Sequence, residues 1–113
     1  MELYEELDSL TKQLDISIKS LRKTGSDYAL AEQKYKVLLR QECLKLRDEG
    51  MAVGMITLTC YGIPSVAEAR FKRDVCESIY LANKEAIASI KLKMRLIGAQ
   101  IQREWGVAGR GDI

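Results

Sequence analysis

Histidine is missing from all 113 residues. Its absence removes the commonest general base, the usual nitrogen ligand of metals and the partner that activates most nucleophiles. A di-metal helical bundle, which needs inward Glu-x-x-His pairs, is excluded by the same gap. Proline occurs once and glycine eight times, a shortage of turn formers that points away from β structure and toward long helices. The three cysteines, Cys43, Cys60 and Cys76, are an odd number without CxxC spacing, which speaks against a disulfide framework and against a zinc site. Cys43 and Cys76 read as inert packing thiols, and Cys60 has no neighbouring cation in sequence to activate it. Gly50-x-x-x-Gly54 lacks the Lys-Ser/Thr of a phosphate loop. With that inventory the chain reads as non-enzymatic, with no cofactor and no metal.

Neither sign of charge dominates, with 18 Lys and Arg against 16 Asp and Glu, so no strong field directs the chain to phosphate or to a lipid surface. The N-terminal stretch alternates charge and leucine and has no basic region followed by an apolar run, so no leader peptide is expected. The longest uncharged stretch, Gly50 to Ala67, holds Thr57, Thr59, Ser65, Pro64 and three glycines and makes a poor membrane span. No membrane partner is expected, and the reducing cytoplasm fits the cysteine usage.

What is present is a period. Leu3, Leu7, Leu10, Leu14, Ser17, Leu21, Thr24, Tyr28, Ala31, Tyr35 and Leu38 follow one another in unbroken alternation of four and three, a heptad seam. The phase agrees on both sides of Gly25-Ser26-Asp27, so one helix is expected from about residue 2 to 48, weakened at Gly25 by about 1 kcal/mol relative to alanine. Beyond Tyr35 the spacing passes to Leu39, Cys43 and Leu46, as a stutter produces, and Gly50 is placed to cap the end. A second helix is expected from about 66 to 105, opened by a Ser65–Glu68 capping box and closed by Gly106, with a disordered tail over 107–113. Its seam runs Cys76, Tyr80, Asn83, Ile87, Ile90, Met94, Ile97, Ile101, and the lone polar Asn83 suits a register-fixing role.

Two matched helices around one apex make a single-domain, all-α antiparallel helical hairpin of coiled-coil type. A second stripe on the later helix, Leu81, Ala88, Leu92, Leu96 and Ala99, lies away from its seam, and a two-helix hairpin covers one face only. Self-association into a homodimer forming a four-helix bundle, or a larger one, follows. The apex over residues 50–64 is too apolar for a solvated turn: Met51, Val53, Met55, Ile56, Leu58, Tyr61 and Ile63 need cover. They either fold back to plug the bundle or dock on a partner protein, for which methionines are adaptable. A helix-turn-helix around Tyr61-Gly62-Ile63 fits poorly, because Leu58 stands where a small residue is needed and Glu68 and Asp74 would face phosphates. The basic residues Arg70, Lys72 and Arg73, with Lys91, Lys93 and Arg95, remain as candidate nucleic-acid contacts, an alternative that implies strong salt dependence.

The segments AEQKYKVLLRQECLKLRDEGM and AEARFKRDVCESIYLANKEAIASIKLKMRLIGAQIQREWG resemble a family of small uncharacterised proteins from phages and prophages of Gram-positive bacteria. The most telling stretches are Arg70-Phe71-Lys72-Arg73-Asp74, Glu85-Ala86-Ile87 and Arg103-Glu104-Trp105, while the apolar Cys60-Tyr61-Gly62-Ile63-Pro64 departs from the charged apex of that family. The resemblance implies a phage-encoded protein of the bacterial cytoplasm, often encoded near recombination and single-strand-binding genes. The resemblance carries no established activity; the expected role is binding a host or phage protein, in recombination and replication or as an inhibitor of host defence.

Overall fold

The computed structural model describes the backbone of residues 2–111 and the side chains of residues 2–106. Three helices and no strand occur among the described residues: α1 Glu2–Asp48, α2 Val53–Tyr61 and α3 Pro64–Gly111. The architecture is an all-α helical hairpin, as the periodicity requires, and it divides into two units. One joins the chain up to Arg22 to the chain from Ala82 onward, and the other is Lys23–Leu81.

In the first unit Leu10, Ile90 and Ile97 are buried, with Leu3, Leu7, Leu14, Met94 and Ile101 packed around them. Every one of these is a seam position. The direction of pairing is fixed at two further places: the Trp105 indole Nε1 donates to the Tyr4 hydroxyl at 2.7 Å, and the Asn83 amide donates to the Ser17 carbonyl at 3.1 Å. Early residues of α1 therefore meet late residues of α3, an antiparallel pair. Asn83 adds a polar contact between helices to a seam of isoleucines.

In the second unit Tyr28 lies against Tyr80 with ring centroids 5.8 Å apart, and Arg73 stands over the Tyr35 ring at 4.7 Å. Gly25 does not interrupt α1. A Cβ there would come within 3.1 Å of Tyr80 Cε1, so the glycine makes room for the ring. The seam of α3 also begins earlier than its apolar residues suggest, since Val66 is fully buried and Ala69 and Arg73 are half-buried at the same spacing ahead of Cys76. Arg73 fills a seam position with its aliphatic stem, and its guanidinium lies over the Tyr35 ring and bonds the Asp74 carboxylate.

Helix ends follow local chemistry. Gly50, at φ 88°, closes α1: its amide donates to the Arg47 carbonyl at 3.0 Å and the Met51 amide to the Leu46 carbonyl at 3.1 Å, the paired bonds of a Schellman cap. The start of α3 differs from the expected capping box. Ala67 donates to the Ile63 carbonyl at 2.9 Å, so Ile63 is the cap residue, Pro64 the first helical residue and Ser65 already inside. Proline is suited to that place because its missing N–H is one the helix leaves unpaired anyway. At the other end α3 passes through Trp105 and Gly106, where a stop was expected, to Gly111. The tail expected over residues 107–113 is thus helical as far as Gly111, and its last two residues lie outside the described residues.

Replacing Ile90 or Ile97 by alanine is expected to cost about 2–3 kcal/mol in urea unfolding, whereas Lys93→Ala, on the exposed side of α3, should stay within about 0.5 kcal/mol.

Candidate functional site

The apolar apex is α2. Its nine residues carry no charge and no side-chain cap at the N-terminus, and apolar groups surround it, so one side can be buried only by leaving another outside. Ile56 and Cys60, one helical turn apart, go inside at 8% and 0% exposure. Met55 and Leu58 project from other sides at 56% and 70%, and Val53, at the helix start, reaches 81%. Tyr61 is partly open, and the Arg70 guanidinium lies 4.9 Å from its ring centroid. Met51 and Ile63, in the flanking linkers, are half-buried. The seven apex residues expected to meet a partner therefore divide. Ile56 is withdrawn as a plug, which corrects its place in that set, and Val53, Met55 and Leu58 form the outward surface.

The plug brings two thiols together. Cys43 Sγ, on α1, and Cys60 Sγ, on α2, are 3.0 Å apart. Burial, with Cys43 and Glu42 close by, pushes the Cys60 thiol up to about 11, so it is protonated at neutral pH. The sequence places Cys43 on a seam near the end of its helix, but nothing in the spacing of the cysteines shows that the apex returns to it.

The second stripe on α3 is exposed as expected: Leu92 at 50% and Leu96 at 61%, with Ala88 and Ala99 open beside them. These four lie in one unit, and Leu81, at 49% exposure, belongs to the other. Lys91 and Arg95 line a shallow groove of about 370 Å³ with Leu14 and Met94, while Lys93 falls elsewhere around the helix.

The other basic cluster does not present one face. Arg73 turns inward, its side chain 19% exposed, and bonds the Asp74 carboxylate at 2.8 Å with Glu32 at 4.0 Å. Lys72 pairs with Glu68 at 3.4 Å, and Arg70 covers Tyr61. Beside them, burial and the carboxylates of Glu32 and Glu77 raise the Tyr28 phenol above its ordinary value. Among the described residues no group of three or more Cys, Asp or Glu is arranged to hold a metal ion, and no helix is long and apolar enough to cross a membrane. Set against family models, curated proteins and solved structures, the chain matches none.

The two neighbouring cations should behave differently when removed. Arg73→Ala is expected to lower stability by about 1–2 kcal/mol, through lost contact with Tyr35 and Glu32, and Lys72→Ala by less than about 0.5 kcal/mol, as for an exposed pair. Chemical denaturation of both variants checks the order.

Proposed function

We propose that this chain is a non-enzymatic, cytoplasmic phage or prophage protein that pairs with a second copy of itself through the outer stripe of α3 and binds a protein partner with the outward side of α2. The observation that carries the reading is the pair Leu92 and Leu96, one helical turn apart and both half-exposed or more on the side of α3 away from Ile90 and Ile97. Burying what remains exposed of each half-covered leucine is worth roughly 1 kcal/mol, and monomers seldom leave such a stripe open.

The stripe also supports a register. A two-fold axis near Met94, with the α3 helices antiparallel, sets Leu92 of each copy against Leu96 of the other and Ala88 against the Ala99 region. The same operation places Glu85 opposite Arg103. Both are exposed and lie on the same side of the helix as the stripe, so opposite charges close the two ends. The helical resemblance supplies the setting, recombination and replication or the inhibition of host defence. The basic residues support nucleic-acid binding less well, since Arg70, Lys72 and Arg73 are already engaged with an aromatic ring and carboxylates.

Sedimentation equilibrium at micromolar concentration should give twice the chain mass or more, and the double variant Leu92→Glu, Leu96→Glu should give a single helical chain; a folded wild-type monomer would overturn self-association. Glu85→Arg and Arg103→Glu are each expected to weaken the dimer about three- to tenfold, and the double swap to restore it; no rescue rejects the antiparallel register. Anisotropy titrations with single- and double-stranded DNA test the alternative, for which binding must fall steeply as salt rises. In a Gram-positive host, producing the chain should either restore plating of a restricted phage or raise recombinant frequency, and neither change would remove the proposed setting.

A further inference from the structure

We propose that Cys43 and Cys60 are a redox pair that closes into a disulfide within one chain and staples α2 to the end of α1. The thiols lie on different helices, 17 residues apart in sequence, with their sulfurs 3.0 Å apart. A disulfide holds its sulfurs at about 2.05 Å, so closing the bond needs a shift of about 1 Å. Side-chain rotation and a slight approach of two adjacent helices supply that much. Cys76 stands apart from the pair, in the groove lined by Asp27, Leu30, Phe71 and Val75.

Accessibility orders the chemistry. Cys60 has no exposed surface, while Cys43 is half-buried, so a small-molecule disulfide as oxidant meets Cys43 first. The Cys43 thiolate attacks one sulfur of that disulfide, forms a mixed disulfide and releases one small thiolate, which takes a proton from water. Cys60 then attacks the Cys43 sulfur, the mixed S–S bond breaks, and the proton given up by Cys60 passes to the second small thiolate as it leaves. Two protein thiols are oxidised and one small disulfide is reduced to two thiols. Cys60 needs no solvent access for the second step, because its target is the atom it already touches.

The product is a loop containing α2 as far as Cys60, pinned near the C-terminal end of that helix. The outward groups Val53, Met55 and Leu58 are then held in one orientation against α1. In the dithiol form α2 is retained by the burial of Ile56 and Cys60, by the contact of Arg70 with the Tyr61 ring and by its short linkers, with backbone bonds around Gly50 and Gly62. The staple does not depend on what α2 contacts, and its test involves no partner.

The full chain is incubated folded with excess oxidised glutathione, its free thiols are capped with N-ethylmaleimide, and the digest is mapped by mass. The expected result is a Cys43–Cys60 link within single chains and no link to Cys76, with amide exchange of α2 slowed about tenfold or more relative to the dithiol. Cys76→Ser should leave the link intact. Cys43→Ala, with its helicity confirmed by circular dichroism, should abolish it and leave Cys60 unmodified. A lasting glutathione adduct on Cys43 beside an intact Cys60 thiol, links involving Cys76 or links between chains would overturn the pairing. A linked chain whose α2 exchanges as fast as before would overturn the stapling.

Discussion

An apolar side chain every third or fourth residue on α1, matched to the same spacing on α3, is the constraint from which the other features follow. Neither helix has another long partner within its unit, so each buries a single strip. Leu10, Ile90 and Ile97 show how narrow that strip is: all three keep 7–8% of their surface in contact with solvent, even at the centre of their cluster. A core one residue wide gives little resistance to sliding, because leucine against isoleucine is nearly as good one heptad away. The contacts that are not apolar acquire their importance here. The Asn83–Ser17 and Trp105–Tyr4 hydrogen bonds occur once each, and Gly25 lies so close to the Tyr80 ring that a side chain there would push the ring aside by a few tenths of an ångström. Each of these ties one particular position of α1 to one of α3.

At the apex the same shortage of partners is met differently. The turn from α1 toward α3 must end one helix, leave room and start another, and the residues for this are local: the left-handed Gly50 ends α1, and Ile63-Pro64 begins α3. Between them α2 inserts Ile56 and Cys60 where a plain loop would have left backbone amides unpaired. Val66, fully buried at the start of α3, adds to the same interior. A helix of nine residues has little stability of its own, so α2 owes its form to that burial. Its closeness to Cys43 follows from how deep the plug sits.

The seams were legible because each obeys one period over many residues: every position from Leu3 to Leu38 and from Cys76 to Ile101 is at least half-buried. Legibility fails where one side chain does two jobs. Arg73 occupies a seam position through its stem, and a search for apolar residues passes over it, which is why the seam of α3 looked shorter than it is. The capping box failed because Ser65–Glu68 is a valid signal one step from a stronger one, the proline at its left. Gly106 failed as a stop because no proline or polar turn follows it, and α3 continues into Val107 and Ala108. The outer stripe of α3 was legible for the same reason as the seam. The thiol pair was not, because contact between Cys43 and Cys60 depends on the depth of α2, and an apolar run without period has no preferred side.

That difference in patterning also separates the two outward surfaces. Leu92 and Leu96 belong to a stripe with direction: small residues at Ala88 and Ala99, opposite charges at Glu85 and Arg103, and about five helical turns between those charges at 3.6 residues per turn. In the proposed dimer a surface with that much internal order would meet a helix of equal length and opposed charge sequence, and an inverted copy of α3 meets both conditions at once. The side of α2 that carries Met55 and Leu58 has no repeat, no charge and no fixed length to match. It cannot set a register, and what it offers is flexible apolar area on a short helix, which suits a preformed pocket on another molecule more than a second copy of itself. Symmetry therefore belongs to α3 and adaptability to α2, because periodic order in a sequence can recognise itself and unpatterned apolar surface cannot.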